Sequence, residues 1–231
     1  MPSKNSLKQF VENSYYHLYN RGVEKRKIFL DDQDYTVFLS YFKTYLLPKD
    51  TNHLQKIILD SNSDYFEKFK ASRLLRMNNF NDLIFLYSFC LMPNHFHLLL
   101  KQRESDGIDR FMNSIGTRYT MYFNKKYKRV GPLFQGVYKA VLVETNEQLL
   151  YLTKYIHRNP SLQGTSLLDY QYSSYPAYLN LMKVDWLQTK DILENFSVSG
   201  YNSYKSFVED RPLDENEYQL LTNLTIDEDD I

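Results

Sequence analysis

Residues 92–100, MPNHFHLLL, form an apolar run that contains two histidines one residue apart. A second apolar run, LIFLYSFCLM, precedes it at 83–92. Pro93-Asn94 lies where the two runs meet, and such dipeptides mark tight turns. Two apolar runs joined by a turn predict an antiparallel β-hairpin, with Cys90 as a buried small side chain.

Two histidines are unusual in a buried strand, and their spacing gives them a common direction. Residues i and i+2 of a strand project from the same face, so His95 and His97 point one way and Phe96 points the other way into a core. Hydrogen bonds from each ring to backbone carbonyls are one explanation. Burying two polar rings without a common partner is costly, however, and two adjacent imidazoles are good ligands for a divalent metal. The pair therefore favours a metal or phosphate role.

The patterns on both sides of the hairpin predict further strands and helices. Strands are expected at 14–20 and 137–143, where apolar and aromatic residues dominate. Helical spacing of apolar residues, with capping residues and breakers at the ends, predicts helices from Asp31 to Pro48, over 108–128 and from Thr145 to about His157. The order strand, helix, hairpin, helix, strand, helix predicts an α+β sandwich with one central antiparallel sheet.

The chain divides into a main domain and three less regular segments. The main domain is expected over 1–165, and it contains a polar insertion at 49–82. A small helical appendage is expected at 166–208. Residues 209–231 form an acidic tail with nine acidic residues and one arginine, which predicts a solvated terminus or a segment that shields a basic groove.

Composition excludes several classes of protein. The single cysteine excludes an internal disulfide framework and a cysteine-built zinc site. No apolar run is long enough to span a membrane, and the N-terminal residues lack the apolar core of a secretory signal. These features predict a soluble cytoplasmic protein without a membrane partner.

The zero net charge averages two unlike regions. Without the acidic tail, residues 1–208 carry an excess of about eight positive charges. Positive side chains cluster after the first strand, after the 108–128 helix and at the end of the last helix, and such patches follow a nucleic-acid backbone. The candidate DNA-binding residues are Arg21, Lys25, Arg26, Lys125, Lys126, Lys128, Arg129 and Arg158. The alternative for each helix end is a solvated cluster that complements the helix dipole.

The last helix of the main domain ends in YLTKYIHRNP (151–160). Tyr155 and Asn159 are four residues apart and therefore share a helical face. The amide oxygen of Asn159 could complete a metal site begun by the two histidines. By themselves, a helical tyrosine and an asparagine before proline are more typical of packing and helix termination.

Four short stretches carry a family resemblance: HLYNRG (17–22), MPNHFHLLL (92–100), GPLFQG (131–136) and YIHRNP (155–160). In this order they resemble the single-tyrosine HUH transposases, and among these the REP-associated tyrosine transposases most closely. The resemblance implies a ferredoxin-like sandwich with the histidine pair on a central strand and the tyrosine on a late helix. It covers roughly residues 14–165.

The resemblance also implies roles for individual residues. Tyr155 matches the nucleophile, and His95, His97 and Asn159 match the residues that bind Mg²⁺ or Mn²⁺. The implied activity is cleavage and transfer of single-stranded DNA, at hairpins, through a 5′-phosphotyrosine intermediate. The family position of His17 suggests a supporting role, but a hydrogen bond in the core is the favoured assignment. The implied protein is a monomer or a homodimer.

Two other functions fit part of the pattern. A ferredoxin-like sheet with exposed aromatics also serves proteins that bind single-stranded DNA or RNA without cutting it. A zinc hydrolase could use His95 and His97, but no HExxH segment accompanies them. The complete set of two histidines, a tyrosine and an asparagine favours the DNA-cleaving enzyme.

Overall fold

The structure is a computed structural model that describes residues 10–210 and 214–221. Its four strands are β1 (Tyr15–Arg21), β2 (Ile84–Met92), β3 (His95–Gln102) and β4 (Lys139–Val143). Its main helices are α1 (Asp32–Leu46), α2 (Thr51–Leu59), α3 (Tyr65–Arg76), α4 (Gly107–Lys126) and α5 (Asn146–Arg158). Short helices follow: α6 (Tyr175–Tyr178), α7 (Lys190–Leu193), α8 (Tyr204–Glu209) and α9 (Glu215–Leu221).

The four strands form one sheet in the order β2-β3-β1-β4, and every neighbouring pair is antiparallel. With α1 between β1 and β2, and α4 between β3 and β4, this is the βαββαβ arrangement of a ferredoxin-like sandwich. The predicted α+β class, the hairpin and the order of elements are confirmed. The last strand begins two residues later than predicted, at Lys139.

Helices α1 and α4 cover one face of the sheet, where the aromatic residues of the chain form the core. Phe96 of β3 points to this face and lies 5.6 Å from Phe38 of α1, between ring centroids. Tyr119 of α4 contacts Phe38 edge-on at 4.9 Å. All three side chains are buried. Such aromatic pairs add specific geometry to a large burial of apolar area, so this face is the rigid support for the histidines on the other side of β3.

Helix α5 crosses the opposite face of the sheet. Thr145 caps it, with Gln148 completing a reciprocal capping box. Residues 153–157 are all buried. A helix at the surface buries only one stripe of side chains, so burial of five consecutive residues requires cover on more than one side. Helix α5 has this cover because the sheet lies on one side of it and the C-terminal segments lie on the other.

The C-terminal appendage contacts the sheet and α5 directly. Ser174 Oγ accepts a hydrogen bond from Phe89 N of β2 at 2.9 Å, and Leu91 N of the same strand donates to Tyr172 O at 3.0 Å. Helix α9 lies against α5, where Lys154 Nζ is 3.1 Å from Glu217 Oε2 and both side chains are buried. The expectation of a solvated acidic tail is therefore wrong for Glu217 and Leu221, which are buried, whereas Glu215, Asn216 and Gln219 are exposed. Residues 211–213 and 222–231 lie outside the described part of the chain.

The insertion at 49–82 contains α2 and α3, which pack mainly on each other. Its C-terminal end is bonded to the end of α1: Phe80 N donates to Tyr45 O at 2.7 Å, and Asn79 Nδ2 donates to Leu47 O at 2.7 Å. Cys90 is buried as predicted. Within the described residues, no helix combines the length and apolar character needed to cross a membrane.

Candidate active site

The site lies on the face of the sheet that α5 covers, and two central strands build it. His95 and His97 project from β3, and His17 projects from β1 beside them. The register places Tyr19 opposite His97 and Arg21 opposite His95. All three histidines are at most 2% exposed, so the sheet holds a cluster of imidazoles almost completely out of water.

Both ring nitrogens of His95 face amide oxygens. Nδ1 lies 2.7 Å from Asn94 Oδ1, and Nε2 lies 3.3 Å from Asn159 Oδ1. Burial lowers the pKa of His95 to about 4, with the nearby Arg21 charge acting in the same direction. A neutral imidazole has a single N–H. If Nδ1 holds the proton and donates it to Asn94 Oδ1, the shorter contact, then Nε2 has a lone pair that points at Asn159 Oδ1. Two acceptors that face each other in this way suit a cation between them.

His97 presents a second lone pair to the same region. Its Nδ1 is 3.0 Å from His17 Nε2, whereas its Nε2 is buried without a hydrogen-bond partner. Burial, and the neighbouring His95 and His17, hold its pKa well below the usual range. When His97 Nδ1 donates to His17, Nε2 is left as the acceptor. A second residue that fixes the tautomer of a histidine is typical of metal ligands.

The donor set fits a divalent cation. Ligands at right angles around an ion with bonds of about 2.1 Å lie about 3 Å apart, close to the 3.3 Å between His95 Nε2 and Asn159 Oδ1. The part of the chain that the structure describes has no cluster of three His, Cys, Asp or Glu side chains suited to a metal. A metal site built on His95 and His97 would have the amide oxygen of Asn159 as its nearest further protein ligand.

Helix α5 brings Tyr155 to the histidine pair. The Tyr155 ring lies 5.5 Å from the His97 ring and 6.2 Å from the His17 ring, edge-on to both. Asn159, one turn later, is 1% exposed, and its Nδ2 donates to Tyr155 O at 3.4 Å. This bond turns the amide oxygen towards His95. The tyrosine, both histidines and the asparagine thus meet within a single chain.

Three side chains close to Tyr155 in sequence bind α5 to the C-terminal appendage. His157 contacts Tyr204 Oη through Nδ1 and Ser174 Oγ through Nε2, both at 2.7 Å. Arg158 Nη1 donates to Val208 O at 2.7 Å. Lys154 pairs with Glu217 as described above. His157 is completely buried, so its ring is not accessible to DNA phosphate, and its two hydrogen bonds hold the tyrosine helix in place.

Replacing His157 with leucine should lower the free energy of unfolding by about 3 kcal/mol near pH 7, because two buried hydroxyls lose their partner. Burial lowers the pKa of His157 to about 3, against about 6.5 in the unfolded chain. The wild type therefore loses this stabilisation as the pH falls from about 6.5 towards 3. Urea unfolding should show a smaller difference between wild type and variant at pH 5 than at pH 7. The exposed His53→Leu variant is the control, and a difference that does not change with pH would contradict the expectation.

Two loops close the site at the end of the sheet that carries His95. Gly22 N donates to Asn94 O at 2.8 Å, and Gln135 N donates to Arg21 O at 2.8 Å. The Gln135 side chain then accepts a bond from Arg21 Nε at 2.5 Å. A Cβ on Gly22 would lie 2.2 Å from Arg26 O, so this crossing requires glycine. The stretches 17–22, 92–97 and 131–136 meet here, and they place the Arg21 charge beside His95.

The other predicted DNA-binding residues differ in how far their charges are engaged. Lys126 Nζ lies 2.6 Å from Asp31 Oδ1 and 2.8 Å from Asp34 Oδ1, so its charge is largely compensated within the fold. Arg129 donates to Asn124 Oδ1 at 2.8 Å. Lys25, Lys125 and Lys128 are exposed, and Arg26 is half-buried. DNA binding by these residues, and by the half-buried Arg158, stays a prediction.

Sequence patterns miss two contributors to the site. Gln135 has no role that the pattern predicts, and Asn94 is predicted only as a turn residue. The signal that could have found them is that each lies in one of the four stretches that carry the family resemblance. For His17, the favoured expectation of a hydrogen bond in the core agrees with its burial and its contact with His97.

Comparisons with known proteins identify the family to which the chain belongs. A solved structure described as "Structure of the REP associates tyrosine transposase bound to a REP hairpin" is 12% identical, with a TM-score of 0.45; the match covers 86% of this chain and 95% of that chain. No curated protein matches the chain. Residues 10–159, well over half of the 231, match the family model described as "Transposase IS200 like". The chain therefore belongs to the family of IS200-like transposases.

Proposed function

We propose that the protein is a metal-dependent endonuclease and strand transferase that cleaves single-stranded DNA at hairpins through a 5′-phosphotyrosine intermediate. The observation that carries the proposal is the meeting of Tyr155 with two histidines whose available lone pairs, together with the Asn159 amide oxygen, suit a divalent cation. Membership of the transposase family supports DNA as the substrate.

In this proposal Tyr155 is the nucleophile. Its oxygen bonds to the scissile phosphorus while the bond from phosphorus to the 3′ oxygen breaks. The tyrosine loses its proton, the leaving oxygen gains one, and the products are a 5′-phosphotyrosine and a free 3′-OH. A second 3′-OH can reverse the same step, because the bond energy is conserved in the covalent intermediate.

His95, His97 and Asn159 would hold Mg²⁺ or Mn²⁺. Such an ion, when bound, polarises a phosphate oxygen and stabilises the negative charge on the leaving oxygen. His17 sets the tautomer of His97 through the 3.0 Å contact between their rings. The covering helix α5 keeps the histidines out of water, which strengthens charge interactions within the site.

One copy of the chain supplies every residue of the proposed site, and α5 is fastened to its own appendage by buried contacts. We therefore expect the monomer to be competent for cleavage. Dimers that exchange the tyrosine helix would first have to break the buried Lys154–Glu217 pair, and breaking a buried pair costs about 3–5 kcal/mol.

The test is formation of a covalent adduct. The protein is incubated with Mn²⁺ and a 5′- or 3′-labelled oligonucleotide that contains a hairpin and single-stranded flanks, and the products are separated in denaturant. The expected result is a shifted protein band that keeps the label of the 3′ fragment, because that fragment carries the 5′ phosphate. Tight binding without any adduct, across a panel of hairpins, would instead identify a binding protein that does not cleave.

Arg21 is the best placed of the predicted phosphate-binding residues, because it lies opposite His95 in the sheet. Arg21→Ala should weaken hairpin binding and lower the slope of log affinity against log salt by about 1. Gln135→Ala should weaken binding less, since the charge remains but its position is no longer fixed. Fluorescence anisotropy at several salt concentrations measures both. Lys183→Ala, at an exposed lysine, is the matched control, and an unchanged slope in Arg21→Ala would contradict the assignment.

A further inference from the structure

Helix α3 presents an exposed face made only of aromatic and positively charged side chains. At 3.6 residues per turn, six residues of this 12-residue helix fall within an arc of about 140°. These residues are Tyr65, Phe66, Phe69, Lys70, Arg73 and Arg76. Tyr65 is 81% exposed, Phe66 78% and Phe69 55%, and the three cations are exposed as well. We call this surface the α3 face.

The rest of α3 explains why these rings are not needed for folding. Ala71 is buried and Leu74 and Leu75 are half-buried on the side that packs inwards. The one acidic residue of the helix, Glu67, is committed to the capping box with Asp64. Three large rings in water, among three cations and no acid, therefore form a surface without a structural function in the described fold.

We infer that the α3 face binds single-stranded DNA at a distance from the site of cleavage. Exposed aromatic rings stack on unpaired bases, and cations beside them neutralise the phosphates of the same strand. The inference rests on the proposed function in one respect, namely that the chain acts on DNA. The ligand is unpaired DNA of any sequence, because stacking does not distinguish bases strongly.

The position of the insertion in the fold determines which segment of a bound DNA strand the α3 face can contact. The chain enters β2 from the insertion at Ile84, which pairs with Gln102, whereas His95 pairs with Met92 at the other end of the same hairpin. The eight residues of β3 separate these ends by roughly 25 Å. The insertion therefore joins the sheet at the end far from His95. In this inference the α3 face contacts a strand segment several nucleotides from the scissile phosphate and extends the footprint without joining the chemistry.

Self-association is a poorer explanation of the same face. A two-fold contact places a patch against its own copy, and here it would bring Lys70, Arg73 and Arg76 against identical cations. Like charges opposed in this way disfavour an interface. A strand of DNA supplies both the flat apolar surfaces and the negative charges that this face lacks.

The test measures binding of a fluorescein-labelled oligothymidylate in EDTA, where neither metal nor cleavage contributes. Phe66→Ala/Phe69→Ala should weaken binding about tenfold or more, the usual effect of losing stacked bases. Lys70→Gln/Arg73→Gln/Arg76→Gln should lower the salt slope by about 2. Phe66→Tyr/Phe69→Tyr keeps the rings and should bind as the wild type does. Tyr201→Ala, at a ring that is 84% exposed in the appendage, is the matched control and should also have no effect.

Unchanged binding in both α3 variants, with normal thermal unfolding, would overturn the inference. Two other results would also overturn it. In each, the aromatic variant binds oligothymidylate normally, but it has lost either concentration-dependent self-association in sedimentation or binding to phosphatidylserine vesicles. Adduct formation with hairpin DNA is measured separately on the same variants. The two proposals can fail separately. If the α3 variants lose oligothymidylate binding but neither the wild type nor any variant forms an adduct, the proposed cleavage is contradicted and the α3 face remains a DNA-binding surface.

Discussion

Tyr155→Phe should abolish the covalent protein–DNA adduct while leaving hairpin binding within about twofold of the wild type. The change removes one oxygen atom and keeps the ring that packs 5.5 Å from His97. Without that oxygen, residue 155 cannot form a bond to phosphorus. Denaturing electrophoresis with labelled hairpin DNA and Mn²⁺ measures the adduct, and anisotropy measures the binding.

Tyr151→Phe is the matched control for this result, since it makes the same change one turn earlier on the same helix. It should form adduct at the wild-type level. An adduct of full strength in Tyr155→Phe would assign the nucleophile to another residue, and peptide mapping of the labelled protein would then find it.

His97→Ala should remove measurable Mn²⁺ binding and, with it, adduct formation. The substitution deletes the buried Nε2 that has no hydrogen-bond partner in the fold, and the remaining imidazole and amide oxygen are too few ligands for tight binding. His17→Ala leaves the two proposed ligands His95 and His97 in place and removes the contact with His97 Nδ1. It should weaken Mn²⁺ binding by about 10–100-fold, as loss of an orienting partner does.

Electron paramagnetic resonance of free Mn²⁺ during titration measures both affinities without reference to cleavage. His53→Ala is the control, because His53 is an exposed histidine on α2. Wild-type affinity in His97→Ala would contradict the metal site. Equal and severe losses in His97→Ala and His17→Ala, together with a lowered unfolding temperature in both, would mean that the cluster serves folding instead.

The sandwich could be predicted from the sequence because its signals are local. The hairpin follows from apolar runs around Pro93-Asn94, and α1 follows from an Asp31 cap and helical spacing, both confirmed in the structure. The common face of His95 and His97 follows from strand geometry alone. The family resemblance correctly implied the ferredoxin-like order of strands.

Contacts between distant segments could not be predicted in the same way. Nothing in the local sequence indicates that Gln135 meets Arg21, or that His157, next to an arginine at a helix end, is sealed by Tyr204 and Ser174. The acidic tail likewise has the composition of a solvated segment. One of its residues, Glu217, is nevertheless buried, because the Lys154 charge on α5 needs a partner.

The sequence by itself therefore determined the order of elements, the direction of the histidine pair and the turn-length spacing of Tyr155 and Asn159, because these depend on the period of a strand or a helix. Only the tertiary structure decided that this tyrosine meets these histidines within one chain, that both nitrogens of His95 face amide oxygens, and that residues 153–157 of α5 are all buried. Such features depend on packing between residues far apart in the chain, and no periodicity along the chain encodes them.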